Sequence, residues 1–242
     1  MTDKILACCF DLGNTLNNDT LLVDRSVRDT GAWLEEQDHE VAASLFTETY
    51  HRVHRSIQKP YYSHTYGEEE FFEKTLKELG ISSLAPSKVL EVYRAYIRKN
   101  TEVPEDVKAV MNMLSALGIK RALLSNERAA RVEAYLETTG FGPLFDAVVV
   151  SERVGSEKPY PGIFREALRQ LSVPPDRAGS VLMFGDNSIA DGACTRLGMR
   201  FVLVHGYRTR EWYFEKGSEF HPEFEIDQVT PELVKELIDS IG

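Results

Sequence analysis

The sequence predicts an α/β fold: a doubly wound parallel sheet with a helical subdomain inserted after its first strand. Three observations predict it. From Thr101 onward, short apolar runs alternate with segments of helical periodicity. Those runs are continuously apolar rather than alternating, as in strands covered on both faces. The run Ala7-Cys8-Cys9-Phe10 near the start has the same texture, yet residues 17–100 separate it from the others and contain no convincing strand. One core built from 1–16 and 101–242, interrupted by a helical unit over 17–100, accounts for all three.

Within 17–100, a helix over Val41 to Ile57 is predicted by Leu45, Phe46, Tyr50, Val53 and Ile57 at helical spacing. Glu68 to Leu79 and Ser87 to Lys99 repeat the pattern, and Arg25 to Glu36 is a less periodic fourth helix. From 101, Pro104 opens a helix that Gly118 ends, and Ile119 to Leu124 is a strand. A helix over Ala129 to Thr139, a strand at Ala147 to Val150 and a helix over Ile163 to Leu171 follow. Next come a strand at Val181 to Phe184, a helix from about Ser188 to Leu197 and a strand at Arg200 to Val204. Phe224 to Asp227 is a short edge strand, and Thr230-Pro231 caps a final helix.

Composition narrows the function classes. Of 242 residues 43% are apolar, enough for a sizeable core, and 38 acidic against 28 basic residues give a net charge of −10. That balance works against nucleic-acid or anionic-membrane partners. No stretch approaches the ~18 apolar residues of a membrane span. The run before Asp11 is too short for a secretory leader. Cys8, Cys9 and Cys194 are not spaced as metal ligands, and the two neighbours point to opposite faces of their strand as small buried apolar groups. A reducing cytoplasm fits this usage.

In a doubly wound sheet the carboxyl ends of the strands lie together and bind ligands. Here each brings a polar cluster: Asp11, Gly13 and Thr15 after the first, Ser125-Asn126 after the second, Gly155 to Pro159 after the third, and Gly185-Asp186 to Asp191 after the fourth. Taken singly these residues have ordinary structural readings. Asp186 would be a turn residue or helix cap, Ser125-Asn126 a strand-ending turn, and Lys158 a solvated loop lysine. Together they make three carboxylates, a hydroxyl and an ammonium at one end of one sheet.

That set resembles the haloacid dehalogenase-like (HAD) superfamily, mostly Mg²⁺-dependent phosphohydrolases on a Rossmann-like core. The strand ending in Asp11 looks like its first motif, Leu124-Ser125-Asn126 like the second and Lys158-Pro159 like the third. Gly185-Asp186 with Asp191 looks like the fourth. The helical block sits where members with a C1-type cap carry that cap, which in this reading is mobile and excludes water during transfer. The resemblance implies that Asp11 is the nucleophile, attacking phosphorus to give an aspartyl-phosphate. It implies Mg²⁺ ligation by the carboxylates of Asp11 and Asp186 and the main-chain carbonyl of Gly13, with Asp191 orienting water or Lys158. Lys158 would neutralise Asp11 and the phosphoryl group. Ser125 and Asn126 would hydrogen-bond the phosphoryl oxygens, and Asn14 would join Asn126 and Lys158 in binding substrate. The substrate implied is a small phosphorylated metabolite, and the chain acts as a monomer or homodimer.

One position departs from the family. Most HAD phosphatases carry a second aspartate two residues after the nucleophile, as general acid and base; here that residue is Gly13. The expectation is a preference for good leaving groups, such as sugar 1-phosphates or acyl phosphates. His64, Asn17, Asn18 and Asp19 are candidates to replace the missing group. Pro60 to Tyr66 is a candidate specificity loop or a packed part of the helical unit, and Tyr207 to Phe214 a lid, a dimer patch or a surface loop. Two alternatives stand beside the phosphatase: a non-catalytic binding or regulatory protein, and a metal-independent 2-haloacid dehalogenase. Asp186 weighs against the dehalogenase, because a further carboxylate suits a cation and repels an organic acid.

Overall fold

A computed structural model of the chain describes residues 4–37, 41–57, 67–102, 104–207 and 219–242. The loop at Pro60 to Tyr66, with His64, and residues 208–214 of the second candidate loop lie outside this set. Two compact units emerge, one of residues 1–20 and 102–242, the other of 21–101.

The first unit is an α/β core. Six parallel strands, β1 (Ala7–Phe10), β2 (Lys120–Ser125), β3 (Ala147–Val150), β4 (Val181–Gly185), β5 (Arg200–Val204) and β6 (Phe224–Ile226), lie in the order β3-β2-β1-β4-β5-β6. This is the doubly wound arrangement that the apolar runs predicted. β1 lies between β2 and β4, with Phe10 opposite Leu123 on one side and Phe184 on the other. The chain leaves β1 towards β2 and later returns to β4, so the strand order reverses beside β1, the place where doubly wound sheets bind ligands at their carboxyl ends.

Alternation along the strands divides the core into two layers. Cys8, Phe10, Leu123, Leu182 and Phe184 pack on one face with Val110 and Leu114 of α5 (Glu105–Ala116), Val132 of α6 (Ala129–Thr139) and Val234 of α9 (Pro231–Ile241). Ala7, Cys9, Leu124, Met183 and Phe201 face Ile163, Phe164 and Ala167 of α8 (Pro161–Gln170). Cys8 and Cys9 thus enter opposite layers, and Cys194 joins the second. Burial raises the pKa of all three thiols. Held protonated, they are poor nucleophiles.

The second unit is helical: α1 (Asp19–Glu36, whose first two residues belong to the core unit), α2 (Ala43–Ile57), α3 (Glu68–Glu78) and α4 (Pro86–Asn100). Its centre is aromatic, with the Phe72 ring 5.2 Å from Tyr50 and 5.1 Å from Tyr93. Among the described residues no helix is long and apolar enough to cross a membrane.

Two elements differ from the sequence expectation by more than two residues at a boundary. α1 starts at Asp19 rather than Arg25. The helix expected from about Ser188 is a turn followed by a 3₁₀ segment, Gly192–Leu197. Asn187 Oδ1 accepts from the backbone N–H groups of Ile189 and Ala190 at 3.0 and 2.9 Å, a local bond that competes with helix formation. A short helix, α7 (Ser151–Val154), follows β3 unpredicted and ends at Gly155, φ 69°.

Candidate active site

Asp11 is the first residue past β1, and its N–H donates to the Phe184 carbonyl at 2.9 Å, tying it to β4. The carbonyl ends of β2 and β4 flank it. Lys158 reaches it from the loop between α7 and α8: Nζ is 2.5 Å from Asp11 Oδ1, 2.7 Å from Asp191 Oδ1 and 3.0 Å from the Leu124 carbonyl. An ammonium has three donors and no acceptor. All three are used, and the side chain is only 2% exposed.

Two further bonds fix that lysine. Asn126 Nδ2 donates to the Lys158 carbonyl and Lys158 N–H donates to Asn126 Oδ1, both at 2.8 Å. The amide side chain of Asn126 therefore clamps the backbone that carries the ammonium. Ser125 is buried and its Oγ accepts from Glu127 N–H at 3.0 Å, which leaves the hydroxyl proton to donate. Asn14, expected at substrate, has another task for its oxygen. It takes a left-handed backbone (φ 56°), and Oδ1 accepts from the N–H and hydroxyl of Thr20 at 3.1 and 3.0 Å.

The acidic groups converge on the same place. Asp11, Asp186 and Asp191 each offer a carboxylate oxygen within 4.8 Å of the others. Asp191 is the most buried and the most committed, with Oδ1 on Lys158 and Oδ2 accepting from Asn187 N–H at 3.1 Å. Gly185 makes room for it, since a Cβ there would come within 2.2 Å of Asp191 Cγ and Oδ2. Burial pushes the Asp11 carboxyl up to about 7, opposed by the neighbouring Lys158 and reinforced by Asp191. Lys158 shows the opposite balance. Burial disfavours its charge, but Asp11 and Asp191 outweigh burial and raise its pKa.

Three carboxylates and one ammonium carry a formal charge of −2. A hard divalent cation with oxygen preference fits both that deficit and the all-oxygen donor set. The residues present are thus suited to Mg²⁺, and the Asp11 carboxylate lies with those of Asp186 and Asp191 beside the Lys158 ammonium.

Sequence reasoning missed Arg131, on α6. Its Nη2 lies 2.6 Å from Asp19 Oδ1, across 112 positions of chain. No motif signals a pairing that only the fold creates.

Comparison with known proteins identifies the family. The haloacid dehalogenase-like hydrolase family pattern matches residues 5–191, and a second HAD-hydrolase-like pattern matches 156–233. A glyceraldehyde 3-phosphate phosphatase from Methanopyrus kandleri is 27% identical over 98% of this chain and 97% of its own. Among solved structures, a magnesium-bound HAD-hydrolase of Bacillus subtilis superposes with TM-score 0.71 at 16% identity, covering 98% of this chain and 99% of that one. An L-2-haloacid dehalogenase does so with TM-score 0.65 at 18% identity, covering 98% of this chain and 99% of that one. At such identities the structures establish the fold alone, whereas the family pattern spans more than half the sequence. The chain belongs to the haloacid dehalogenase-like hydrolase family.

Proposed function

We propose that this protein is a cytoplasmic, Mg²⁺-dependent phosphatase of small phosphorylated metabolites, acting through an aspartyl-phosphate on Asp11. The observation that carries the proposal is the doubly paired Lys158, held between Asp11 and Asp191 within a site that lacks two positive charges. The full-length similarity to a phosphatase of glyceraldehyde 3-phosphate supports the substrate class.

Asp11, Asp186 and the Gly13 carbonyl would hold the Mg²⁺, which when bound offsets the repulsion between a carboxylate and a phosphate dianion. Everything else follows from the chain's own groups. An Asp11 oxygen attacks phosphorus and the bond to the leaving oxygen breaks. Lys158 neutralises the charge passing through the phosphoryl oxygens, while the Ser125 hydroxyl and Asn126 N–H donate to them. Asp191 orients Lys158, and Asn126 fixes its backbone. Water then cleaves the aspartyl-phosphate. In this reading the helical unit is the cap.

No side chain at position 13 assists departure of the leaving oxygen, so substrates with good leaving groups are favoured. General acid catalysis is worth about 10²–10⁴-fold. Accordingly kcat/KM for acetyl phosphate should exceed that for glycerol phosphate by a margin in that range. Equal values would contradict the reading of Gly13. The function itself is tested with a panel of phosphorylated metabolites, assayed with Mg²⁺ and with chelator. Turnover that needs the metal and vanishes in Asp11→Asn is expected. Dechlorination of 2-chloropropionate without metal would overturn the proposal.

A further inference from the structure

Gly13 stands two residues after Asp11, and a side chain built there would lie against a residue from the start of α1. The three nearest heavy atoms to a Cβ built at Gly13 all belong to Asp19: Cβ at 3.6 Å, Cγ at 3.7 Å and Oδ2 at 3.9 Å. Those are ordinary contact distances.

Asp19 is held there by three features of the core unit. Its Oδ1 pairs with Arg131 Nη2 at 2.6 Å, and Arg131 Nη1 lies 3.2 Å from Glu127. The neighbouring Thr20 is bonded twice to Asn14 Oδ1, which ties the start of α1 to the loop after Asp11. Gly13 and Asn17 form an isolated parallel bridge within the same turn. The ion pair takes Oδ1, so Oδ2 is the oxygen turned towards Gly13. A carboxylate paired in this way is a hydrogen-bond acceptor.

We propose that Asp19 supplies from α1 the base absent at position 13, acting in the second half of the reaction. The water oxygen bonds to phosphorus and its proton passes to Asp19 Oδ2. The bond from phosphorus to Asp11 breaks, its electron pair returns to the Asp11 carboxylate, and inorganic phosphate leaves. Asp19 then releases its proton to solvent. The leaving oxygen of the first half takes its proton from solvent, so the sum is ester plus water giving alcohol plus phosphate. This division of labour rests on the phosphatase reading and agrees with it, since only departure of the leaving oxygen goes unassisted. It also explains why a carboxylate at position 13 would be out of place: it would stand against a like charge.

The test is rapid-quench single turnover of the Mg²⁺-loaded protein with an aryl phosphate, following acid-trapped phosphoenzyme by intact mass. Asp19→Asn keeps an oxygen for Arg131 and removes the base. It should form phosphoenzyme at nearly the wild-type rate and lose it about 100-fold more slowly. Moving the carboxylate next door, in Gly13→Asp combined with Asp19→Asn, should recover most of the lost rate. Breakdown in Asp19→Asn at the wild-type rate overturns the assignment. So does a double variant as slow as Asp19→Asn, because the loss would then be structural. A wild-type protein that forms no phosphoenzyme overturns the phosphatase reading along with this one, a result distinct from either.

Discussion

At Lys158, one ammonium must satisfy three acceptors in near-complete burial, and its neighbours are arranged around that demand. Removing either carboxylate would leave a buried charge short of a partner, a costly state. Gly185 shows how tight the arrangement is. Because the Asp191 oxygens are fixed by Lys158 and Asn187, the carboxylate cannot swing away from a new methyl group at 2.2 Å. Gly185→Ala should therefore displace Asp191 and lower activity by about 10- to 100-fold, the usual cost of losing a group that orients a site residue. Assay beside a folded control by circular dichroism checks this, and an active Gly185→Ala would show that Asp191 position is unimportant. The residues of the site differ in how readable they are. Asp11, Ser125, Lys158, Asp186 and Asp191 each follow an apolar strand or its loop, so the topology alone brings them together. Asp19 and Arg131 belong to two different helices, and only packing reveals that they meet.

Among the elements, β1 and β4 matter most, because the strand order reverses between them and Asp11 and Asp186 follow their carboxyl ends. Their contact is reinforced by Phe10 and Phe184, whose rings stack with centroids 4.8 Å apart. Phe184→Ala should destabilise the core unit by about 3–5 kcal/mol, the range for truncating a buried aromatic side chain. Denaturant unfolding measures it, and a loss below about 1 kcal/mol would mean that the sheet centre is not tightly packed. Strands were legible as continuous apolar runs, and β3 and β5 have the expected boundaries. Helix starts were less so. The cap of α1 comes from Asn14, six residues before Thr20, where a search for an adjacent capping residue does not look. After β4, Asn187 diverts the backbone N–H groups that would have begun a helix. Both misses have one cause: a side chain bonding to backbone across a turn, invisible to periodicity.

For the whole molecule, an acidic chain acting on a phosphorylated substrate would have to bind an anion against its own net charge. Net charge −10 repels anions at long range, so binding must be local, at the lysine and the cation that Asp11, Asp186 and the Gly13 carbonyl would hold. Mg²⁺ binding to the native state should then stabilise it, by about 2.7 kcal/mol at a hundred times the Kd. Calorimetry should show Tm rising with Mg²⁺ and falling with chelator, and the rise should largely disappear in Asp186→Asn. A variant that keeps the full rise would place the ion elsewhere. The central claim is that Asp11 carries the phosphoryl group, and the most direct measurement is peptide mass spectrometry after acid quench of the Mg²⁺-loaded protein with acetyl phosphate. The account predicts one phosphoryl group on the peptide containing Asp11, released by hydroxylamine and absent from Asp11→Asn. Turnover without any label on Asp11, or label that persists in Asp11→Asn, would contradict it.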